Sequence, residues 1–318
     1  MSNSATLKTV IITGGNSGLG FECAKAIANA HQGWHIVLAC RSNERGMQAV
    51  DTITSETDNK NVSMLQMDLS SLESVRNFVN EYQMKSYPSL QGLICNAGIL
   101  APEETQYTKE GFELTFGVNH LGHFLLTNLL LDHFVEPGRI VVVSSNTHNP
   151  GVPEGQMAPA TYLGAKKLAH PDSDHEISGR QRYTTSKLCN VLFAYELDRR
   201  LREKRRNITV NAFDPGFTPG TNLMGGSNNL RRTILGSGLG QRLFEMRGII
   251  SSTPIKSGEA MGRLLLDPQL EKVSGKYFQV LEEIPSSEDS NNQEMAKELW
   301  ESSKELTSFQ ESNTQNSS

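Results

Sequence analysis

Tyr183 and Lys187 stand four positions apart in Tyr183-Thr184-Thr185-Ser186-Lys187, a spacing that puts both side chains on one face of a helix. A phenol beside an ammonium is a proton-transfer pair. The positive charge favours phenolate, so the tyrosine pKa is expected to fall from about 10 toward the range useful for general acid/base work. Alone, such a pair occurs by chance in many helices, and its companions give it weight. Ser145 follows the run Val141-Val142-Val143-Ser144, where its hydroxyl can hydrogen-bond a substrate oxygen. Asn119 is a polar amide in an otherwise apolar stretch, suited to hold a water that links Lys187 to solvent.

A second constellation points to a dinucleotide. Thr13-Gly14-Gly15-Asn16-Ser17-Gly18-Leu19-Gly20 joins a β-branched run directly to an amphipathic stretch, the context in which glycines let backbone N–H groups approach a pyrophosphate. Its spacing is Gly-x-x-x-Gly-x-Gly rather than Gly-x-Gly-x-x-Gly. Where a carboxylate would take the ribose hydroxyls of NAD, the chain has Cys40-Arg41-Ser42. A guanidinium in place of a carboxylate favours a 2′-phosphate, so NADP(H) is the expected cofactor. Asp68-Leu69 ends a strand and faces the adenine, while Asn96-Ala97-Gly98 ends another and allows close backbone approach beside it. Pro215 and Gly216 belong to a rigid turn at the nicotinamide end, with Thr218 or Thr221 reaching the amide or the phosphates.

These residues need a scaffold, and the chain alternates short β-branched runs with longer amphipathic stretches, the signature of βαβ units and a parallel sheet. Strands are expected at 9–13, 36–39, 62–67, 92–96, 140–144, 208–213 and 275–280. A long helix is expected over about 112–134. The fold class is α/β: a single Rossmann-type, doubly wound parallel sheet of about seven strands with helices on both faces. Two segments break the rhythm, at about 147–181 and 217–247, and both follow strand ends; each is a lid over the pocket or a solvated insertion. Leu223 and Met224 either line an apolar pocket or pin the second insertion to the body. Residues 1–285 form the dinucleotide-binding catalytic domain on this reading. Residues 286–318 add a polar tail with one helix over about 292–306, docked through Met295, Leu299 and Trp300.

With these motifs in order, the chain resembles the short-chain dehydrogenase/reductase family over about residues 8–285. The resemblance implies a catalytic tetrad of Asn119, Ser145, Tyr183 and Lys187, with Tyr183 as general acid/base and Lys187 on the nicotinamide ribose. It selects Ser145 over Ser144, because the family serine is the second of such a pair. The long insertion before Tyr183, with Asn119-His120-Leu121-Gly122-His123-Phe124 and Ser186-Lys187-Leu188-Cys189-Asn190, looks like the branch of retinol dehydrogenases and light-dependent protochlorophyllide reductases. In the latter a threonine usually stands where this chain has Ser145. The function implied is hydride transfer between nicotinamide and a carbonyl or alcohol of a small apolar substrate. The alternatives are light-driven reduction of a C=C bond in a tetrapyrrole and an NADPH-binding regulator without turnover; the intact tetrad argues against the regulator. Members of the family commonly form dimers or tetramers through the two long helices, so a homodimer is compatible with the resemblance, although the insertions are able to obstruct that packing.

Composition narrows the partners. The 318 residues carry 30 Lys plus Arg against 35 Asp plus Glu, a formal net charge of -5, without the basic excess that nucleic acid binding needs. Cys23, Cys40, Cys95 and Cys189 lie far apart, so neither a disulfide framework nor a zinc site is expected; Cys189 points away from the Tyr183–Lys187 face, into the core. His120, His123 and His148 lack a third ligand at metal spacing, and no metal is expected. The polar N-terminus runs straight into a strand, and the stretch 121–134 is interrupted by polar residues. The expectation is a reduced, cytoplasmic protein without a transmembrane anchor, peripheral membrane association being compatible with it.

Overall fold

A computed structural model describes residues 7–30, 33–100, 102–156, 158–172, 177–218 and 249–310. Eight strands form one sheet: β1 (Lys8–Thr13), β2 (Trp34–Cys40), β3 (Val62–Gln66), β4 (Ser89–Cys95), β5 (Phe134–Val143), β6 (Ile208–Asp214), β7 (Tyr277–Gln279) and β8 (Glu282–Glu283). Their spatial order is β3-β2-β1-β4-β5-β6-β7-β8. All pairings are parallel except β7 with β8. Order reverses between β1 and β4, which opens a crevice at the C-terminal strand ends.

Nearly continuous apolar strands are what a sheet covered on both faces requires, and alternation along each strand assigns its residues to one layer or the other. Val10 and Ile12 join a core with Cys23, Ile27, Ile53 and Met261, beneath helices α1 (Gly18–Ala30), α2 (Asn43–Thr57) and, from the far end of the chain, Pro254–Leu266. Ile11 faces the other way, toward Phe78, Phe124 and Phe193. That layer holds α3 (Leu72–Met84), α4 (Leu114–Phe116), α5 (Gly122–Leu130) and α8 (Gly179–Glu203). Short helices α6 (Pro153–Gln156) and α7 (Ala165–Ala169) lie in the first insertion. With α9 (Pro254–Leu266) and α10 (Gln293–Leu306) the list is complete for the described residues. Side chains of Ser42, Ser71, Ser178, Thr253 and Asn292 cap α2, α3, α8, α9 and α10, each satisfying a backbone donor that the first turn leaves unpaired.

Two expectations need correction. The helix expected over 112–134 is interrupted by a π turn at Gly117–Leu121 and gives way to β5 at Phe134. The extra residue in that turn accompanies an inward-facing Asn119, whose amide satisfies both backbone groups of Ile99; single π turns of this kind are frequent at functional sites. The sheet also gains β8, a two-residue, exposed, acidic strand with no apolar alternation to announce it. Of the second insertion, only 217 and 218 are described, so Thr221, Leu223 and Met224 lie outside the described residues. Among the described residues, no helix is long and apolar enough to cross a membrane.

The C-terminal helix docks on α8. Leu299 and Ala296 pack with Phe116, Leu188 and Leu192. Trp300 is stacked on Phe193 at 5.9 Å and meets Phe124 edge-on at 5.0 Å, with the Arg200 guanidinium 4.5 Å from its ring centroid. Truncating a buried tryptophan costs about 3–5 kcal/mol. Trp300→Ala is therefore expected to lower the urea midpoint by that amount of stability; a loss below about 1 kcal/mol would mean that α10 is only loosely attached.

Candidate active site

The phosphate end is built by β1 handing directly to α1. Gly14 takes φ +66° there, a left-handed conformation that side chains strain to adopt. A Cβ on Gly20 would come within 2.5 Å of Asn96 Nδ2 and 2.6 Å of the Gly14 carbonyl, so the glycine permits the first turn of α1 to press against the end of β4. Asn96 Nδ2 donates to the Thr13 carbonyl at 2.8 Å, and the N–H groups of Asn96 and Ala97 donate to Thr13 Oγ1, both at 2.9 Å. The first turn of α1 holds no acidic side chain, leaving its N–H groups and dipole open to an anion.

One cavity of about 800 Å³ runs from this turn across the strand ends. At one end its wall holds Gly14, Asn16, Ser17, Gly18, Leu19 and Arg41. Its middle holds Asp68, Leu69, Asn96, Ala97 and Gly98, and its far end Ser145, Tyr183, Lys187, Pro215, Gly216 and Thr218. Two expected residues stand behind the wall. Gly20 supports the loop, and Asn119 is fully buried, donating from Nδ2 to the Ile99 carbonyl (3.1 Å) and Ser186 Oγ (2.9 Å) while Oδ1 accepts from the Ile99 N–H (2.8 Å). Asp68 faces the cavity, but its Oδ1 already accepts from the N–H and hydroxyl of Ser70.

At the catalytic end, the neighbouring serines separate by role. Ser144 also lines the cavity, but its Oγ donates to the Lys187 carbonyl at 2.7 Å, tying α8 to the end of β5. Ser145 caps the following 3-10 turn, where its Oγ accepts from the Thr147 N–H at 3.3 Å, and its hydroxyl acts on the Tyr183 phenol to lower its pKa. Lys187 Nζ donates to the Val143 carbonyl at 3.4 Å and lies 5.5 Å from the Tyr183 ring centroid.

The electrostatics reverse one expectation. Tyr183 is 8% exposed, and burial pushes its phenol above the ordinary tyrosine range; the Asp214 carboxylate adds to that push, and the Ser145 hydroxyl opposes it. The lowering expected from Lys187 does not prevail, because desolvating a phenolate costs more than a cation displaced to the ring face returns. Burial also brings Lys187 down to about 8, against the attraction of Asp214, which favours its ammonium. Tyr183 is therefore a neutral phenol, the form that donates a proton.

Neutral histidines brace this arrangement. Burial depresses His123 to about 4, so Nδ1–H donates to the Asn119 carbonyl (3.2 Å) and Nε2 accepts from the Thr13 hydroxyl (2.9 Å). His148, also depressed by burial to about 4, donates from Nδ1 to the Ser145 carbonyl (2.7 Å) and accepts the Ser287 N–H at Nε2 (3.2 Å). His120 meets Ser303 Oγ at 2.9 Å. Among the described residues, no group of three or more His, Cys, Asp or Glu is placed to hold a metal.

Sequence reasoning passed over Arg45 and Asp214, which line the same cavity. Arg45 was within reach, since it stands in the first turn after the Ser42 cap, on the side of Arg41. Asp214 directly precedes the Pro215-Gly216 turn, and in the sequence it reads as part of that turn.

Comparison with known proteins agrees with this geometry. A family model for short chain dehydrogenases matches residues 8–170. Human polyprenol dehydrogenase is 33% identical over 306 residues, covering 94% of this chain and 85% of its own. A protochlorophyllide reductase from Avena sativa is 33% identical over 319 residues, covering 93% and 98%. Among solved structures, an uncharacterized protein from Mycobacterium paratuberculosis superposes with a TM-score of 0.69 at 27% identity, over 96% of this chain and 95% of that one. A short chain dehydrogenase from Burkholderia cenocepacia, in complex with NADP, shares the fold with a TM-score of 0.62 at 22% identity, over 87% and 98%. On the family match and on relatives aligned along nearly its whole length, the chain belongs to the short-chain dehydrogenase/reductase family of oxidoreductases.

Proposed function

We propose that this protein is an NADPH-dependent oxidoreductase that interconverts a carbonyl and an alcohol on an apolar substrate. The observation that carries the reading is the single cavity holding the glycine turn and Arg41 at one end and Ser145, Tyr183 and Lys187 at the other. The residues present fit the cofactor. An α1 N-terminus with no acidic side chain in its first turn suits a pyrophosphate, and Arg41 with Arg45, at a strand end lacking a carboxylate, suits a 2′-phosphate. When bound, NADPH supplies the hydride. The glycine turn and the α1 N–H groups hold the phosphates, Arg41 and Arg45 grip the 2′-phosphate, and Lys187 binds the nicotinamide ribose. Ser145 orients the substrate oxygen by hydrogen bonding, and Tyr183 gives it a proton; in the oxidative direction Tyr183 takes the proton back.

The substrate end supports an apolar ligand. Ile99, Leu100, Leu114, Val118, Phe217 and Ile249 contribute to the wall, and the human relative is named for polyprenol, itself an apolar alcohol. A second reading, light-dependent reduction of a tetrapyrrole C=C bond with the same proton donor, draws on the Avena sativa relative. Illumination of the protein with NADPH and protochlorophyllide separates the two; an unchanged absorbance removes the second. The outer face of α8 is covered by α10, which favours a chain that does not dimerise through that face. Four free, buried cysteines suit a reducing, cytoplasmic setting.

The decisive experiment is a panel of apolar aldehydes, ketones and alcohols followed at the nicotinamide absorbance, with NADPH and NADH in parallel. Tyr183→Phe is expected to lower kcat about 10²–10⁴-fold, the usual contribution of a positioned acid, with NADPH affinity kept within a few-fold. Retention of most turnover would overturn the assignment. Arg41→Ala combined with Arg45→Ala is expected to weaken NADPH binding by at least about tenfold while leaving NADH nearly unchanged, given the roughly 1.5–3 kcal/mol of a charged hydrogen bond. Equal losses for both cofactors in a calorimetric titration would exclude a 2′-phosphate site there.

A further inference from the structure

Asp214 ends β6 at the catalytic end of the cavity, and no step described above employs it. Its side chain is 2% exposed and lines the wall that Tyr183 and Lys187 share. The parallel register that pairs Val143 with Phe213 places Asp214 beside Ser144, one strand from the Val143 carbonyl that receives Lys187 Nζ. Asp214 Oδ1 accepts from the Gly216 N–H at 3.1 Å and Oδ2 from Gln279 Nε2 at 2.8 Å. Neutral donors orient a carboxylate but leave its charge uncompensated, and a buried charge is costly unless it faces an opposite one. Lys187, 3% exposed on α8, lines the same wall without a direct ion pair to Asp214, and the carboxylate favours its ammonium.

We propose that Asp214 is a positioning residue for the proton-transfer pair: its carboxylate is the counter-charge that keeps Lys187 an ammonium inside the cavity. It acts on the reaction through Lys187, not on substrate. Burial pulls Lys187 down to about 8, against the attraction of Asp214, and pushes Asp214 up to about 6, against the hydrogen bonds it accepts, so both carry charge between those values. The other titratable groups facing Asp214 do not replace Lys187. Tyr183 on α8 and Tyr277 on β7 are phenols that burial keeps neutral, and Glu154 on α6 repels the carboxylate. On the other side of Lys187, His123 of α5 is neutral. The coupling is reciprocal, so each partner's loss must shift the other's titration by the same amount.

The test uses the full chain without cofactor or substrate, with ¹³C-labelled lysine; the Lys187 Cε resonance is assigned by its loss in Lys187→Met. Its midpoint is expected near pH 8 and should fall by about one unit or more in Asp214→Asn, the usual minimum for removing a close opposite charge. The sign is fixed: the variant loses the ammonium at a lower pH. A merely structural Asp214 would change the stability of the variant and leave the Lys187 midpoint in place, which overturns the proposal. Should Asp214→Asn not fold, the same coupling is read from the other partner. In Lys187→Met the Asp214 carboxyl midpoint, near 6 in the wild type, is expected to rise by a comparable amount, and a stationary midpoint overturns the proposal equally. The role of Lys187 in ribose binding rests on the oxidoreductase reading, but this titration needs no cofactor, so either can fail without the other.

Discussion

The seat of α8 on the end of β5 fixes everything around it. The Val143 carbonyl, last in its strand, accepts from both Lys187 Nζ and Asn190 Nδ2, and Ser144 Oγ returns a hydrogen bond to the Lys187 carbonyl. These contacts set the rotation of the helix as well as its place. A slip of one residue would turn each side chain by roughly 100° about the axis, carrying Tyr183 out of the cavity. Most of α8 is buried, polar residues included. Apolar packing tolerates rotation among similar shapes, whereas each buried polar group has to find its partner. Thr184 donates to the Ala158 carbonyl, Thr185 accepts from the Thr161 N–H, and Ser186 donates to the Tyr183 carbonyl. The motif's intervening residues thus lock the register that its two ends use.

Neutral imidazoles extend the same logic outward. A neutral ring donates from one nitrogen and accepts at the other, so it can join two fixed backbone points that a lysine, all donor, could not. His123 joins the π-turn carbonyl of Asn119 to Thr13 at the phosphate loop, and His148 joins Ser145 to the C-terminal segment at Ser287. Burial depresses both to about 4, which keeps each ring in its double role near neutral pH. The two ends of the cavity are in this way connected through hydrogen bonds rather than through packing alone.

What could be read from the sequence was local. The glycine turn, the Tyr183–Lys187 spacing and the β-branched runs each depend on a few consecutive residues, and the seven longer strands and the docked C-terminal helix followed from such patterns. What escaped depends on distant residues. The π turn at Asn119 is tied to Ile99, and β8 exists only through its pairing with β7. Asp214 reads as turn chemistry because nothing nearby in the chain shows that it shares a cavity wall with Lys187. The direction of the Tyr183 shift was missed for a related reason. Spacing reveals a neighbouring charge, but desolvation depends on everything packed around the phenol.

Tyr183 is also placed by its immediate predecessor. Arg182 donates to the carbonyls of Ile177, Pro102 and Glu103 and pairs with Glu113 at 3.2 Å, with the two side chains 7% and 3% exposed. As a source of stability such a pair is poor, since desolvation offsets most of the attraction and an apolar substitute of similar volume often does as well. As a source of orientation it has no apolar equivalent. A planar fork of donors reaches carbonyls on the first insertion and on the loop after β4 at once, and Glu113 Oε2 meanwhile caps the turn leading to Asn119 by accepting the Phe116 N–H. Loops from both sides of the substrate end therefore converge on the residue before the proton donor. Buried charge at Arg182, Glu113, Lys187 and Asp214 makes sense together: the fold gives up some stability to hold a phenol, a hydroxyl and an amine at one wall of a cavity long enough for a dinucleotide.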